Sequence, residues 1–484
     1  MPDISFVVPV YEPSLDLLGK CVKSLVDQSL KSWEAIFVLD GENDSAAQVI
    51  RREMKKCPNH YKIVVQEHSG VQRARNEGFK HTTADILCFL DCDVLIEPEA
   101  PRMWVEQFER HQDIGFIYSG YKFLNEQGAI NSEPFDPWTL RIRNYISTCF
   151  PIRRKFYPGW NESLKSLQDW DFWLSAVEKG AVGKFVEGYA FSTAYPTQKS
   201  ISGQGCTPEA WLERVNAVKK LHNLPERDIC VSSLQAKHEG IFLAKLIGAD
   251  YQDVPNQKPH NYKTILQLGF SFLPGKYEHH IAMFTEKTRN VLFWTSESIA
   301  EIRTMHNWEA LEKYGAKLNE VCTQFVEDEA AQKALSPFFK TQVCPLPLAI
   351  PEVKPLPKDK RFLVDINANY GPVLDVLAKS LPDVELEPIG DSANLNDYTG
   401  LVYFHPDRTT SPNMKRAALL GRAVVSTVPG DFTGFVDPGQ SLDKFIPAVT
   451  NRIRSLAYSG PDKKAISFYR EQCNVEKFKE CINA

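Results

Sequence analysis

The sequence has no long apolar run, no paired-cysteine motif, no marked excess of either charge and no low-complexity stretch. No hydrophobic segment approaches the roughly 20 residues that a bilayer-spanning helix needs, so no integral membrane segment is expected. The opening Met1-Pro2-Asp3-Ile4 lacks the basic and apolar regions of a secretory signal, and the expected location is cytoplasmic. The eleven cysteines are odd in number, scattered and without a Cys-x-x-Cys pair. That is the pattern of reduced, buried thiols rather than of a disulfide framework. Lys and Arg total 56 against 61 Asp and Glu, a net charge of −5 spread along the chain. This excludes the electrostatic footprint of bulk nucleic-acid or anionic-membrane binding.

What remains is the composition of a globular protein, 43% hydrophobic and 24% charged, in 484 residues. A chain of that length exceeds one ordinary core, so two or three domains are expected. The first 90 residues alternate short β-rich runs with amphipathic helical stretches. The runs are 4–10, 35–39, 62–65 and 86–90; the helical stretches follow Pro13, span roughly 45–56, and open between Gly70 and Gly78. This spacing predicts an α/β fold with a parallel, doubly wound sheet, in which ligands sit at the carboxyl ends of strands. Asp40 and Asp91 both fall there.

The segment Phe89-Leu90-Asp91-Cys92-Asp93-Val94 places two carboxylates directly after a buried strand. Asp-x-Asp is frequent in solvated strand-end turns, but at the end of the fourth strand of an α/β pattern it marks a candidate metal site. Two adjacent carboxylates repel, and hard oxygen ligands suit Mn²⁺ or Mg²⁺. Such an ion would also hold and neutralise a diphosphate. Cys88 and Cys92 are explained by strand alternation.

Four features in order resemble the nucleotide-binding half of a family 2 glycosyltransferase of GT-A fold. They are Val8-Pro9-Val10-Tyr11-Glu12, Val38-Leu39-Asp40-Gly41, the helix start Gly70-Val71-Gln72-Arg73-Ala74-Arg75-Asn76-Glu77-Gly78, and Asp91-Cys92-Asp93. A fifth, Gln168-Asp169-Trp170-Asp171-Phe172-Trp173, is similar to the family's Glu-Asp-Trp-Asp-x-Trp. The resemblance implies donor contacts at Pro9, Tyr11, Glu12, Asp40, Arg75 and Asp91, and a metal held by Asp91 and Asp93. It also implies a general base at Asp169, with Asp171 as the alternate. An inverting transfer needs such a carboxylate to take the acceptor hydroxyl's proton. Read from the residues alone, Tyr11 either stacks on a base or packs its loop, and Asp169 either acts as the base or caps a helix. Trp138, Trp160 and Trp170 either face sugars or fill the core. The chain departs from the family at Gln168, and at 196–202, where no histidine stands as third metal ligand and Lys199 is a candidate for the diphosphate.

Five prolines between Pro345 and Pro357 mark a crossover, with βαβ patterns on either side. Leu419-Leu420-Gly421-Arg422-Ala423-Val424-Val425-Ser426 resembles the donor half of a GT-B glycosyltransferase, without the glutamates usual there. The expected organisation is a GT-A domain at 1–225, a helical connector at 226–260 and a Rossmann-like, GT-B-resembling domain at 261–484, divisible at 261–350 and 358–484. Lys415, Arg416, Arg422 and Arg452 are candidates for a phosphate-bearing ligand, or else a solvated face.

The expectation is therefore an inverting, metal-dependent glycosyltransferase. It would use a nucleotide diphosphate sugar, UDP-linked by family frequency, and a hydroxyl-bearing acceptor, a glycan before a protein or a DNA base. DNA is a possible partner but not the favoured one. Two rival readings are a bifunctional enzyme with a second, GT-B-type site and a non-catalytic nucleotide- or sugar-binding module.

Overall fold

The computed structural model describes residues 2–124, 128–194, 207–233, 237–252, 261–273, 276–281, 284, 286–305, 307–348, 354–366, 371–389, 394–405, 412–428, 434–457 and 462–483. The chain divides into two compact units, Met1–Glu226 and Arg227–Ala484.

The first unit runs β1 (Ile4–Val10), α1 (Leu15–Val26), β2 (Trp33–Asp40), α2 (Asp44–Glu53), β3 (Tyr61–Gln66), α3 (Val71–Phe79), β4 (Ile86–Phe89), β5 (Val94–Ile96) and α4 (Ala100–Arg110). It continues with β6 (Phe116–Phe123), β7 (Ala129–Ile130), α5 (Pro137–Ile142), β8 (Pro151–Arg153), α6 (Gln168–Glu178), β9 (Gly183–Thr193) and α7 (Pro208–Leu221). β1, at the centre, is buried along its whole length, as the unbroken apolar run Ile4-Ser5-Phe6-Val7-Val8-Pro9-Val10 requires of a strand covered on both faces. It pairs in parallel with β2 and β4, and β2 pairs in parallel with β3. The helices between these strands start where short polar side chains free themselves for capping. Ser14 accepts from the Leu17 N–H, and Asn43 from the Ala46 N–H.

The expected parallel pairing holds for these four strands and again between β6 and β9. The full order is β3-β2-β1-β4-β8-β6-β9-β5, with β7 beside β6. β8 runs antiparallel to β4 and β6, and β5 antiparallel to β9. The sheet is therefore mixed, with both parallel and antiparallel pairs beyond β4.

One glycine sets the depth of the site. Gly78, on α3, faces β1 and β2; a Cβ there would run into Val7 Cγ1 and come within 2.9 Å of Val38 Cγ2. Its absence lets α3 lie close against the sheet, which brings Arg75 of the same helix to the end of β4.

The second unit holds two all-parallel sheets. One contains β10 (Ile229–Ser232), β11 (Asp250–Tyr251), β12 (Thr264–Leu268), β13 (Arg289–Phe293), β14 (Thr323–Val326) and β15 (Thr341–Val343), in the order β11-β10-β12-β13-β14-β15. The other contains β16 (Arg361–Ile366), β17 (Glu385–Pro388), β18 (Gly400–Phe404), β19 (Ala423–Ser426) and β20 (Gly434–Phe435), in the order β17-β16-β18-β19-β20. The stretch expected as a helical connector, 226–260, thus supplies two strands of the first of these sheets. Among its described residues, only Lys237–Ile247 is helical. The chain also does not close on the amphipathic helix Leu442–Ala457, since helices Lys463–Gln472 and Val475–Asn483 follow it.

Two of the four basic residues considered for a phosphate are committed elsewhere. Lys415 forms a buried ion pair with Glu327, and Arg422 donates to the carbonyls of Lys354, Pro355 and Asn396. Arg416 lies over the Phe242 ring.

Candidate active site

The candidate site is built at the carboxyl ends of β1, β2 and β4. Beyond β4 the chain turns sharply, with the Val94 N–H donating to the Asp91 carbonyl at 3.1 Å, so Asp91 and Asp93 share one tight turn. Asp91 Oδ1 accepts from an Arg75 Nη at 2.6 Å. Arg75 is buried, its guanidinium lies 4.3 Å from the Trp160 ring centroid, and its Nε has no hydrogen-bond partner. Among the described residues, no cation pairs with Asp93 in this way. Burial, reinforced by the negative charge of Asp91, pushes its carboxyl up to about 6. Burial and the same two carboxylates push the Cys92 thiol up to about 12.

Asp40, at the end of β2, is almost fully buried. Oδ1 accepts from Gln66 Nε2 at 2.7 Å and the Ser69 N–H at 2.8 Å; Oδ2 accepts from the Gly70 N–H at 2.9 Å and meets His68 Nδ1 at 3.0 Å. Burial alone would raise its pKa, but these bonds outweigh it and hold the carboxyl below the usual range. Asp40 therefore fastens the loop that leads into α3, where Gly70 takes φ +96°. Tyr11 is half exposed and stacked on the His68 ring, with centroids 4.1 Å apart. Glu12 beside it is exposed and takes the left-handed φ of 39°. Pro9 lies buried within β1.

The far wall is carried by α3 and α6. From α3, Gln72 Nε2 donates to the Leu164 carbonyl and Asn76 Nδ2 to the Trp160 carbonyl, both at 2.8 Å. Asn76 Oδ1 accepts from the Tyr157 hydroxyl and the Trp160 N–H. The Arg-Asn pair of the helix start thus has two jobs, with Arg75 reaching the carboxylates and Asn76 clamping the segment that leads into α6. In the first turn of α6, Asp169 accepts from the Trp170 N–H at 2.9 Å and from Asn144 Nδ2 at 2.7 Å. Burial raises its pKa against the pull of these bonds and of Arg75, and Asp91 adds to the rise. Asp91, Arg75 and Asp169 therefore act on one another electrostatically.

Asp171 is turned away from this group. It is buried, and its Oδ1 lies 3.0 Å from Nε2 of the buried His222, whose Nδ1 lies 2.9 Å from Glu178 Oε1. The alternate base of the sequence reading is thus a structural partner that ties the end of α7 to α6. Trp160 and Trp170 are buried, Trp160 between Arg75 and Phe172, and so are core residues rather than open sugar platforms.

A pH prediction follows from His222. Burial would lower its pKa, but the bonds to Asp171 and Glu178 prevail and raise it from 6.5. A group raised on folding stabilises fully below its unfolded pKa and loses that contribution as pH climbs through its folded value. The melting temperature should therefore fall as pH rises above about 6.5, and His222→Gln should flatten that fall. Equal slopes for the two proteins would refute the assignment.

The donor set of Asp91 and Asp93 fits a hard divalent cation, since among the described residues the two neighbouring carboxylates meet one buried cation, Arg75. Among the described residues no third His, Cys, Asp or Glu joins them. The stretch 196–202, with Lys199, lies within the segment 195–206, which falls outside the described residues. Also among the described residues, no helix is long and apolar enough to cross a membrane.

Residues 5–164 match the model of glycosyl transferase family 2. A chondroitin synthase of Escherichia coli is 22% identical over 189 residues, 37% of this chain and 27% of that protein. This chain therefore spans about a quarter of that relative's length. A putative teichuronic acid biosynthesis glycosyltransferase of Bacillus subtilis is 24% identical over 187 residues, 37% of this chain and 73% of the relative. Among solved structures, residues 1–349 of TarS from S. aureus in complex with UDP-GlcNAc are similar, with 18% identity, a TM-score of 0.39, and coverage of 46% of this chain and 66% of that one. The part of the chain that is similar to glycosyl transferase family 2, residues 5–164, lies within the first unit.

Proposed function

We propose that the first unit is an inverting, metal-dependent glycosyltransferase that moves a sugar from a nucleotide diphosphate donor, UDP-linked, onto a hydroxyl of a glycan acceptor. The observation that carries this reading is the cluster of Asp91, Arg75 and Asp169 at the end of β4, in which each charge acts on the others. It joins a donor-side carboxylate pair to a separate, half-buried carboxylate whose pKa is raised, as a general base requires.

In the transfer, the acceptor oxygen forms a bond to the anomeric carbon and gives its proton to Asp169. The bond from the anomeric carbon to the diphosphate oxygen breaks, and the nucleoside diphosphate leaves with the electron pair. A Mn²⁺ or Mg²⁺ ion held by Asp91 and Asp93 would supply neutralising charge to that leaving group. Tyr11 and His68 offer a stacking surface for the base, and Asp40 holds the loop beneath them. The second unit, with two doubly wound sheets and with Lys415 and Arg422 committed internally, is read as a GT-B-like binding module rather than as a second transferase centre.

The test is slow hydrolysis of a panel of nucleotide sugars by the full chain, with and without Mn²⁺. Metal-dependent cleavage of one donor, reduced at least about a hundredfold in Asp93→Ala, is expected. Cleavage that needs no metal would remove the role given to the carboxylate pair. Failure of every donor to bind or react would remove the reading itself.

A further inference from the structure

The tryptophans of the Asp169-Trp170-Asp171-Phe172-Trp173 segment hold a second piece of chain in place. Trp170 Nε1–H donates to the Leu140 carbonyl at 2.6 Å, and Trp173 Nε1–H donates to the Ser147 carbonyl at 3.3 Å. These two posts fix both ends of residues 140–147 against α6. The middle is stiffened independently, since the Tyr145 hydroxyl accepts from the Asp136 N–H at 3.0 Å and donates to the Asp136 carbonyl at 3.1 Å. Between the posts stands Asn144. Its Oδ1 accepts from the Ile146 N–H at 3.2 Å. That bond decides the orientation of the amide, because only an oxygen accepts there. Nδ2 is consequently the edge turned to Asp169 Oδ2, 2.7 Å away.

We propose that Asn144 is the positioning residue of the Asp169 base, resting on the reading of Asp169 given above. The carboxylate is gripped once on each oxygen, by the Trp170 N–H on Oδ1 and by Asn144 Nδ2 on Oδ2. These two bonds stop its rotation and leave each oxygen a lone pair to receive the acceptor's proton. Asn144 favours the ionised form, since an amide N–H can donate to a carboxylate but offers a protonated acid less. It thereby offsets the burial of Asp169. The other charged and titratable groups acting around Asp169 are Arg75 from α3, Asp91 from the turn after β4, and Tyr121 from β6.

The experiment uses the full chain and the nucleotide sugar that it hydrolyses in the panel, measured from pH 4.5 to 9. In Asn144→Ala, kcat should fall about 10- to 100-fold, the donor KM should stay within about twofold, and the acid limb of the kcat profile should move to higher pH. The near-isosteric Asn144→Asp sets a second carboxylate against Asp169 and should move that limb further, with the fold retained by thermal melting. An unmoved acid limb in both variants would overturn the proposal, whether or not kcat fell. Asp169→Asn distinguishes the two readings. Wild-type turnover in that variant would remove Asp169 as the base; loss of turnover there, with Asn144→Ala behaving as wild type, would remove only Asn144.

Discussion

Arg75→Ala is expected to lower the melting temperature by about 6–12 °C and to make that loss partly recoverable with Mn²⁺. The side chain is buried, bonded to Asp91 at 2.6 Å and stacked at 4.3 Å from the Trp160 centroid. A desolvated cation over an indole contributes roughly 1–2 kcal/mol. The pair with Asp91 adds about 1–2 kcal/mol, below the value for a fully buried pair because Asp91 is 42% exposed. The total of about 3 kcal/mol converts to the stated shift at roughly 2–4 °C per kcal/mol for a unit of this size.

Mn²⁺ separates packing from charge. Without the guanidinium, Asp91 and Asp93 repel with no buried cation between them, and Asp169 loses the positive charge that favours its ionised form. A divalent ion then binds a site under greater strain, so added Mn²⁺ should raise the melting temperature of Arg75→Ala more than that of the wild type. Arg75→Lys should fall between the two proteins, keeping the charge but losing the planar stack and fork. Equal Mn²⁺ shifts in wild type and Arg75→Ala would mean that Arg75 serves packing alone.

The parts of this site that were legible in the sequence are those written by local rules. The four parallel strands and their helices show as alternating apolar runs and cap residues, with Ser14 and Asn43 beginning helices as such residues do. Asp40 and Asp91 follow from strand ends. The role of Asp40 does not, because its partners Gln66, His68, Ser69 and Gly70 are brought by the neighbouring strand β3 and its loop. In the same way nothing local announces that Asp171 meets His222, 51 residues away, or that Asn144 meets Asp169 across 25. Two carboxylates of one motif look equivalent until the far side of the fold assigns a partner to each.

The strand errors have a related cause. β10 is only four residues, Ile229-Cys230-Val231-Ser232, and β11 only two, set among charged residues that read as a solvated helix. Their strand character comes from pairing, β10 with β12 and β11 with β10, rather than from propensity. The antiparallel pairing of β8 with β4 is likewise a tertiary decision. Pro151-Ile152-Arg153 is too short for periodicity to report direction. Trp160 and Trp170 take the core role, one of the two that the sequence leaves open, and the fold uses both as buried supports.

Asp169→Asn should remove about 10²- to 10⁴-fold of turnover without lowering the melting temperature at pH 7. These two outcomes rarely accompany each other for a half-buried residue, and here both come from one cause. Burial raises the Asp169 pKa, and Asp91 adds to the rise, so the ionised side chain is held at a cost to the folded state. Asparagine has nearly the same shape and no charge to desolvate. Its one side-chain oxygen can accept from either Asn144 Nδ2 or the Trp170 N–H but not from both, so the substitution gives up one of these bonds as it removes the charge. The cost of the charge disappears while the packing stays, and melting should be unchanged or slightly raised, the trade expected where a site keeps a group for chemistry at the expense of stability. Thermal melting beside donor turnover checks both halves. A variant that melts several degrees lower with turnover reduced in proportion to its unfolded fraction would make Asp169 a helix-capping residue. A stable variant with full turnover would send the search for the base elsewhere in the first unit.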